Sequence, residues 1–169
     1  MKTVHIVCVE CAPEAYAIRG AAEAFGAAVT VTWVGNSDQI VEYFASGPTH
    51  DLIVIAAHGD ERGLLLPPLA EELRGKYRYF DHIAAADFAS FARLRGNVVL
   101  NTSCCGGAPA LANAFLAAGA GQYIGHPGYP DGNAALLYAI QFVYDALTPA
   151  SDDDRAGFVI YSAVGEPKA

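Results

Sequence analysis

The sequence predicts an α/β fold in which helices cover both faces of a central, mostly parallel sheet of about six strands. Two observations carry this prediction. Strand-like runs alternate with helix-length segments along most of the chain. One run, Leu52–Ala57, is apolar at every position, which is typical of a strand buried on both faces of a parallel sheet. The 169 residues and their 53% hydrophobic content predict a single domain over residues 1–169.

The elements follow in order from these patterns. We predict strands at residues 4–9, 28–34, 52–57, 98–101, 122–125 and 158–161. We predict helices at residues 13–25, 38–45, 85–93, 108–118 and 133–147. No core element is predicted between residues 60 and 84, where only 63–68 resembles a short strand or hairpin arm stopped by prolines. We expect this long segment to overhang the strand ends.

Charge and apolar patterning exclude several classes of partner. The chain has 10 Lys and Arg against 18 Asp and Glu, a formal net charge of -8, so we expect no nucleic-acid binding. No apolar stretch approaches the length of a membrane span, so we expect no membrane association. Four cysteines make no convincing disulfide framework, which favours a reducing, cytoplasmic location.

One long region is nearly free of charge. No Lys or Arg occurs between Gly96 and Arg155, and over residues 97–150 only Asp131 and Asp145 are charged. Helices normally show a polar stripe where they face solvent. Residues 108–147 are therefore either deeply buried or form the contact face of a homo-oligomer.

Two predicted strands each end in a reactive side chain beside glycine. Leu52–Ala57 is followed by His58 and Gly59, and Val98–Asn101 is followed shortly by Cys104. Ligands and catalytic groups collect at the carboxyl ends of strands in open parallel sheets. A cysteine there can act as nucleophile, and a histidine can transfer its proton. Each residue alone is equally explained by packing, so the pair carries the prediction.

These residues give a resemblance to the caspase-like (clan CD) cysteine peptidase superfamily, in particular to its CHAT-domain branch. That superfamily has one hydrophobic strand ending in His-Gly and another ending in a small residue and the catalytic Cys. The 46 positions from His58 to Cys104 are similar to the caspase spacing of about 50. Similarity continues through residues 114–120 and 123–125, and then through residues 130–131 and the helix that ends with residues 142–147. The resemblance implies a caspase-like three-layer α/β/α sandwich and cleavage of peptide or protein substrates through a thioester acyl-enzyme.

The resemblance also assigns roles to residues. It makes His58 the general acid and base and Cys104 the nucleophile, with Cys105 a second choice because the cysteine is doubled here. It expects the backbone N–H groups of Gly59 and Cys104 to form the oxyanion hole. Asp60 and Asp131, together with Cys105, are candidate substrate contacts, the two carboxylates for a basic side chain. Asp131 is equally explained as the cap of the following helix.

Two rival functions stay open. In a class I glutamine amidotransferase-like hydrolase, the base follows the cysteine in sequence, and His126 stands at the end of the next predicted strand. That interpretation leaves His58 and Gly59 unexplained. The other rival is a caspase-like fold without activity, serving as a scaffold or regulated partner.

We expect neither a cofactor nor a metal ion. Cys8 and Cys11 have a spacing that can bind zinc or carry redox chemistry, but no second Cys or His pair lies at a suitable distance. Core packing is the favoured role of Cys8.

Overall fold

A computed structural model of the chain describes residues 2–148, so the strand predicted at 158–161 lies outside the described residues. The strands are β1 (Thr3–Val9), β2 (Ala28–Trp33), β3 (Leu52–Ala57), β4 (Gly59–Asp60), β5 (Gly63–Leu65), β6 (His82–Ile83), β7 (Val98–Asn101) and β8 (Gln122–Gly125). The helices are α1 (Ala12–Ala24), α2 (Ser37–Ala45), α3 (Glu71–Arg74), α4 (Ala85–Phe91), α5 (Pro109–Ala117) and α6 (Gly132–Leu147).

Five strands form one parallel sheet in the order β2-β1-β3-β7-β8. Strand β1 is added first and β2 pairs with one edge of it. Strands β3, β7 and β8 then follow one after another on the other side of β1. The sheet confirms the predicted α/β class and its parallel strands, and five of the six predicted strands form it within residues 2–148.

Two hydrophobic cores lie on opposite faces of the sheet and complete a three-layer α/β/α sandwich. Alternate residues of β3 enter different cores: Leu52, Val54 and Ala56 pack with α1 and α6, whereas Ile53 and Ile55 pack with α2, α4 and α5. Because side chains alternate along a strand, even-numbered residues near the end of β3 point toward α1 and α6.

The segment after β3 forms a small antiparallel sheet, β4-β5-β6. The arm predicted at residues 63–68 is present as β5, and Leu64 is buried in the core beside Ile83. Residues 59–65 therefore leave the carboxyl end of β3 as a hairpin, anchored by an apolar side chain.

The charge-poor region 108–147 is divided between the two faces of the sheet. Helix α5 buries Leu111 and Phe115 in one core, and α6 buries Val143 in the other. On the outer side of α6, Leu137 is 70% and Tyr138 54% exposed. An oligomer contact through this region would therefore involve one helix and not both.

A polar cluster surrounds His5 on β1, far from the carboxyl ends of the strands. The imidazole is 7% exposed and lies 2.6 Å from the Thr30 hydroxyl at Nδ1 and 2.9 Å from the Thr32 hydroxyl at Nε2. Its ring stacks on Tyr43 at 4.0 Å between centroids, and His50 lies alongside at 4.7 Å. Burial, and to a smaller extent His50, lowers the pKa of His5 from 6.5 to about 4.

Candidate active site

The parallel register brings the functional segments to one edge of the sheet. Val9 lies opposite Ala57, Ile55 opposite Asn101, and Asn101 opposite Gly125. The residues following β1, β3, β7 and β8 therefore meet at this edge, which includes His58 and the turn containing Cys104.

Gly59 is in close contact with the turn formed by residues 103–107, which we call the cysteine turn. A Cβ atom on Gly59 would lie 3.0 Å from Oγ and 3.1 Å from Cβ of Ser103, and would collide with the carbonyl oxygen of Cys104. Only glycine permits this approach of the two backbones. The contact joins the His58 segment to the cysteine segment, 44 positions farther along the chain at Ser103.

Two backbone donors stand beside this contact. The N–H of Leu65 donates to the carbonyl of His58 at 3.0 Å, which makes Gly59, opposite Leu64, a non-hydrogen-bonded position of the hairpin. The N–H of Gly59 therefore points away from β5. The N–H of Cys104 donates to no acceptor within residues 2–148. An oxyanion at this edge could accept from both groups.

Two side chains, those of Asn101 and Tyr123, hold the cysteine turn in place through hydrogen bonds. Asn101, which is 2% exposed, accepts a hydrogen bond from the N–H of Ser103 at 3.0 Å and donates to the Tyr123 hydroxyl at 2.9 Å. The Tyr123 hydroxyl in turn donates to the carbonyl of Gly106 at 2.6 Å. This chain fixes both ends of the turn relative to β7 and β8.

The turn is also joined to the segment after β8. Cys105 donates its N–H to the carbonyl of Gly128 at 2.7 Å, and Gly107 donates to the carbonyl of His126 at 2.8 Å. A Cβ on Gly107 would collide with the carbonyl oxygen of Gly125, so the two backbones touch directly. These hydrogen bonds use the backbone N–H groups of Cys105 and Gly107. The N–H of Cys104 lies between Ser103 and Cys105, whose N–H groups are both bonded, and has no acceptor within residues 2–148.

The two neighbouring cysteines differ in environment. Cys104 is half-buried, whereas Cys105 is 7% exposed and has a positive φ of 54°. The Cys105 thiol interacts with the hydroxyl of Tyr129, which also interacts with the carboxylate of Glu61. The Glu61 carboxylate is the main cause of a raised pKa for Tyr129. The His58 side chain is exposed to solvent.

Both candidate acidic substrate contacts have partners of their own. The Asp60 carboxylate accepts from Nε and Nη2 of Arg62 at 3.0 and 2.8 Å, an exposed pair that lowers the pKa of Asp60. Asp131 accepts from the N–H groups of Asn133 and Ala134 at 3.0 and 3.1 Å and so caps α6, as the capping interpretation predicts. A basic substrate side chain would compete with these partners.

Glu14 is a residue that the sequence did not single out. It lies in the first turn of α1, and its Oε1 is buried without a hydrogen-bond partner within residues 2–148. Burial raises the pKa of Glu14, while the Thr102 hydroxyl and the His58 imidazole act to lower it. The signal available in the sequence was a glutamate shortly after the first strand, which ordinarily indicates only a favourable helix start.

The Cys8 and Cys11 pair is composed of buried thiols. All four cysteines of the chain lie within the described residues and are free. Burial, assisted by Glu14, raises the pKa of Cys11 to about 12, and burial also raises that of Cys8. Such thiols are poor nucleophiles, in agreement with the packing role predicted for Cys8. Within residues 2–148, no group of three or more His, Cys, Asp or Glu side chains is arranged to hold a metal ion.

A cavity of about 540 Å³ opens beside the same edge, on the face covered by α6. Its walls are largely apolar, from Leu100, Ile124 and Ala135, and Thr102 and His126 also line it. His126 is thus at the end of β8, as expected, but it faces this cavity and its Nδ1 accepts from the N–H of Gly128 at 3.1 Å.

Comparisons with known proteins give no family. No family model matches the chain, and no curated protein matches it. Similar solved structures include a short-chain flavodoxin associated with a non-canonical PDU bacterial microcompartment, with 17% identity, a TM-score of 0.44, and coverage of 88% of this chain and 100% of that one. The receiver domain of the Francisella response regulator 1452 has 12% identity and a TM-score of 0.39, with coverage of 88% and 100%. A response regulator from Burkholderia pseudomallei has 18% identity and a TM-score of 0.39, with coverage of 87% and 71%. At these values the likenesses carry no argument about function.

None of the helices within residues 2–148 is long and apolar enough to cross a membrane.

Proposed function

We propose that this chain is a caspase-like cysteine endopeptidase in which His58 and Cys104 form a catalytic dyad. The observation that carries the proposal is the contact of Gly59 with Ser103 and Cys104 at the carboxyl edge of the sheet. In this contact Gly59, the residue after His58, packs against the backbone of Cys104, and two backbone N–H groups suited to an oxyanion lie beside it. The CHAT-like motif spacing supports the same assignment.

The proposed reaction proceeds in two halves. His58 takes the thiol proton of Cys104, and Sγ attacks the carbonyl carbon of the peptide bond. The resulting oxyanion accepts hydrogen bonds from the N–H groups of Gly59 and Cys104. The C–N bond then breaks as the imidazolium returns its proton to the leaving amine, which leaves a thioester. Water, deprotonated by His58, hydrolyses the thioester and regenerates the thiol.

A reducing, cytoplasmic location belongs to the same proposal. It is supported by the four free cysteines, two of which adjoin each other at the proposed site. A thiolate nucleophile requires a reduced cysteine, and a reducing location keeps the cysteine in that state.

The dyad is tested by paired variants in peptide hydrolysis and in alkylation by iodoacetamide at neutral pH. Cys104→Ala and His58→Ala should abolish hydrolysis, while their matched controls Cys105→Ala and His126→Ala should retain it. Cys104 should be alkylated faster than a free thiol because a base activates it. Loss of hydrolysis only in His126→Ala would favour an amidotransferase-like enzyme, and alkylation no faster than that of a free thiol would contradict an activated nucleophile.

A non-catalytic scaffold is the second candidate, and the exposed apolar side of α6 favours it. Leu137 and Tyr138 expose more than half of their surface, and exposed apolar side chains are suited to a partner, such as a second copy of this chain. Sedimentation equilibrium of the wild type against Leu137→Glu tests self-association through this helix. A monomer at every concentration would refute the homo-oligomer.

A further inference from the structure

We infer that Glu14 is a positioning residue, which orients the imidazole of His58 through its carboxylate at the edge of the sheet. The inference rests on the proposed function for its consequence in catalysis. Its structural part, the interaction of Glu14 with His58, stands on the geometry of the three strands and helix that meet there.

The fold places Glu14 beside His58. Strand β1 is paired with β3 as far as Val9 and Ala57, and α1 begins three residues after Val9. Between them Glu10 forms a β-bridge with Ala57, so the first turn of α1 begins beside the end of β3. Side-chain alternation directs His58 toward the face of the sheet that α1 covers, because Ala56 packs in the core of α1.

Thr102 completes the surroundings of the carboxylate from the next strand. It follows β7, and two residues earlier Leu100 packs in the same core as Ala56. Its hydroxyl donates to the carbonyl of Ile55 at 3.1 Å, so its proton is already engaged. Thr102 also lies close enough to Glu14 for its hydroxyl to lower the pKa of that carboxyl.

The buried oxygen of Glu14 lacks a donor in the resting structure. Oε1 has no hydrogen-bond partner within residues 2–148, and a buried acceptor without a partner is costly. The neighbouring imidazole acquires a second N–H when it takes a proton from a thiol. Glu14 can then accept from that N–H and stabilise the imidazolium. Before the proton transfer, the carboxylate acts on the neutral ring through its charge and favours the tautomer whose N–H is nearer to it. Such a carboxylate holds the ring orientation and need not touch the substrate.

The test compares Glu14→Gln with the matched control Glu10→Gln, which removes the same charge from an exposed side chain at the end of β1. The ring nitrogen shifts of His58, observed by ¹⁵N NMR, report its tautomer and hydrogen bonding whether or not the protein is an enzyme. We expect Glu14→Gln to change these shifts and Glu10→Gln to leave them at the wild-type values. Glu14→Asp, which keeps the charge, should restore part of the wild-type pattern.

Peptide hydrolysis provides the catalytic readout. Glu14→Gln should lower kcat by about tenfold or more and leave KM unchanged, because misplacing a catalytic group slows the chemistry without removing a substrate contact. Unchanged imidazole shifts in a folded Glu14→Gln protein would overturn the inference. Altered shifts in a chain that cleaves no peptide would support the interaction of Glu14 with His58 and refute the peptidase proposal instead, so the two failures are distinguishable.

Discussion

Acidification should destabilise this protein through His5, and the variant His5→Phe should remove that effect. His5 is buried between Tyr43, His50 and two threonine hydroxyls, which lowers its pKa from 6.5 to about 4 in the folded chain. Between these two values the unfolded chain binds a proton that the folded chain does not. The free energy of unfolding therefore falls as the pH is lowered from about 6.5, and this loss is complete near pH 4.

The size of the loss follows from the same two pKa values. Each pH unit of difference corresponds to about 1.4 kcal/mol, so His5 should remove about 3 kcal/mol of stability between pH 7 and pH 4. That is a large part of the roughly 5–15 kcal/mol of a typical domain. His50, whose pKa burial also lowers, adds to the loss, whereas Glu14, with a raised pKa, opposes it. The difference between wild type and variant isolates His5.

Urea unfolding followed by far-UV circular dichroism at pH 7 and pH 4 measures the effect. Phe at position 5 keeps a ring stacked on Tyr43, and the exposed Thr30 can bond to water instead. We expect His5→Phe to lose about 3 kcal/mol less than wild type on acidification. His126→Gln, which replaces an exposed imidazole, should lose as much as wild type. Equal losses in wild type and His5→Phe would refute the reasoning.

Three further predictions concern single side chains. Asn97→Ala should lower the free energy of unfolding, measured with urea, by about 3 kcal/mol. The reason is that this buried amide donates to the carbonyls of Pro48 and His50 and accepts from the N–H of Arg95. A decrease of less than half that amount would contradict the prediction. Asp131→Ala should cost about 1 kcal/mol through loss of the α6 cap and leave peptide specificity unchanged, whereas altered specificity would make Asp131 a substrate contact. Gly59→Ala should cost about 1–3 kcal/mol by overpacking and slow alkylation of Cys104, since the new Cβ displaces the carbonyl of that residue; unchanged alkylation would show that the contact does not position the thiol.

The central strands could be predicted from the sequence because burial on both faces leaves a strong signal. The bounds of β3, β7 and β8 are those expected, and the helix bounds differ by one or two residues at most ends. Strands β4 and β6, with two residues each, and the four-residue α3 are too short for any periodicity to reveal.

The candidate site could be predicted only in part. His58 and Cys104 can be proposed from the sequence because each follows a recognisable strand, and the edge of a parallel sheet joins such positions. The roles assigned to the pair stay predictions. The contacts of Glu14, and of Tyr129 with Glu61 and Cys105, join residues from separate loops and helices. No local pattern encodes these contacts, since they arise only when the chain is folded.

The attachment of the cysteine turn to residues 125–128 limits how the chain can vary in length. Gly107 packs against Gly125 and donates to His126, and Cys105 donates to Gly128, so an insertion within this stretch would break a bond at the turn. Beyond Gly128 the backbone has no such hydrogen bond to another residue of the range 2–148 until Asp131 begins the α6 cap. Related chains should therefore tolerate added residues between 128 and 131 and keep the spacing before 128 fixed.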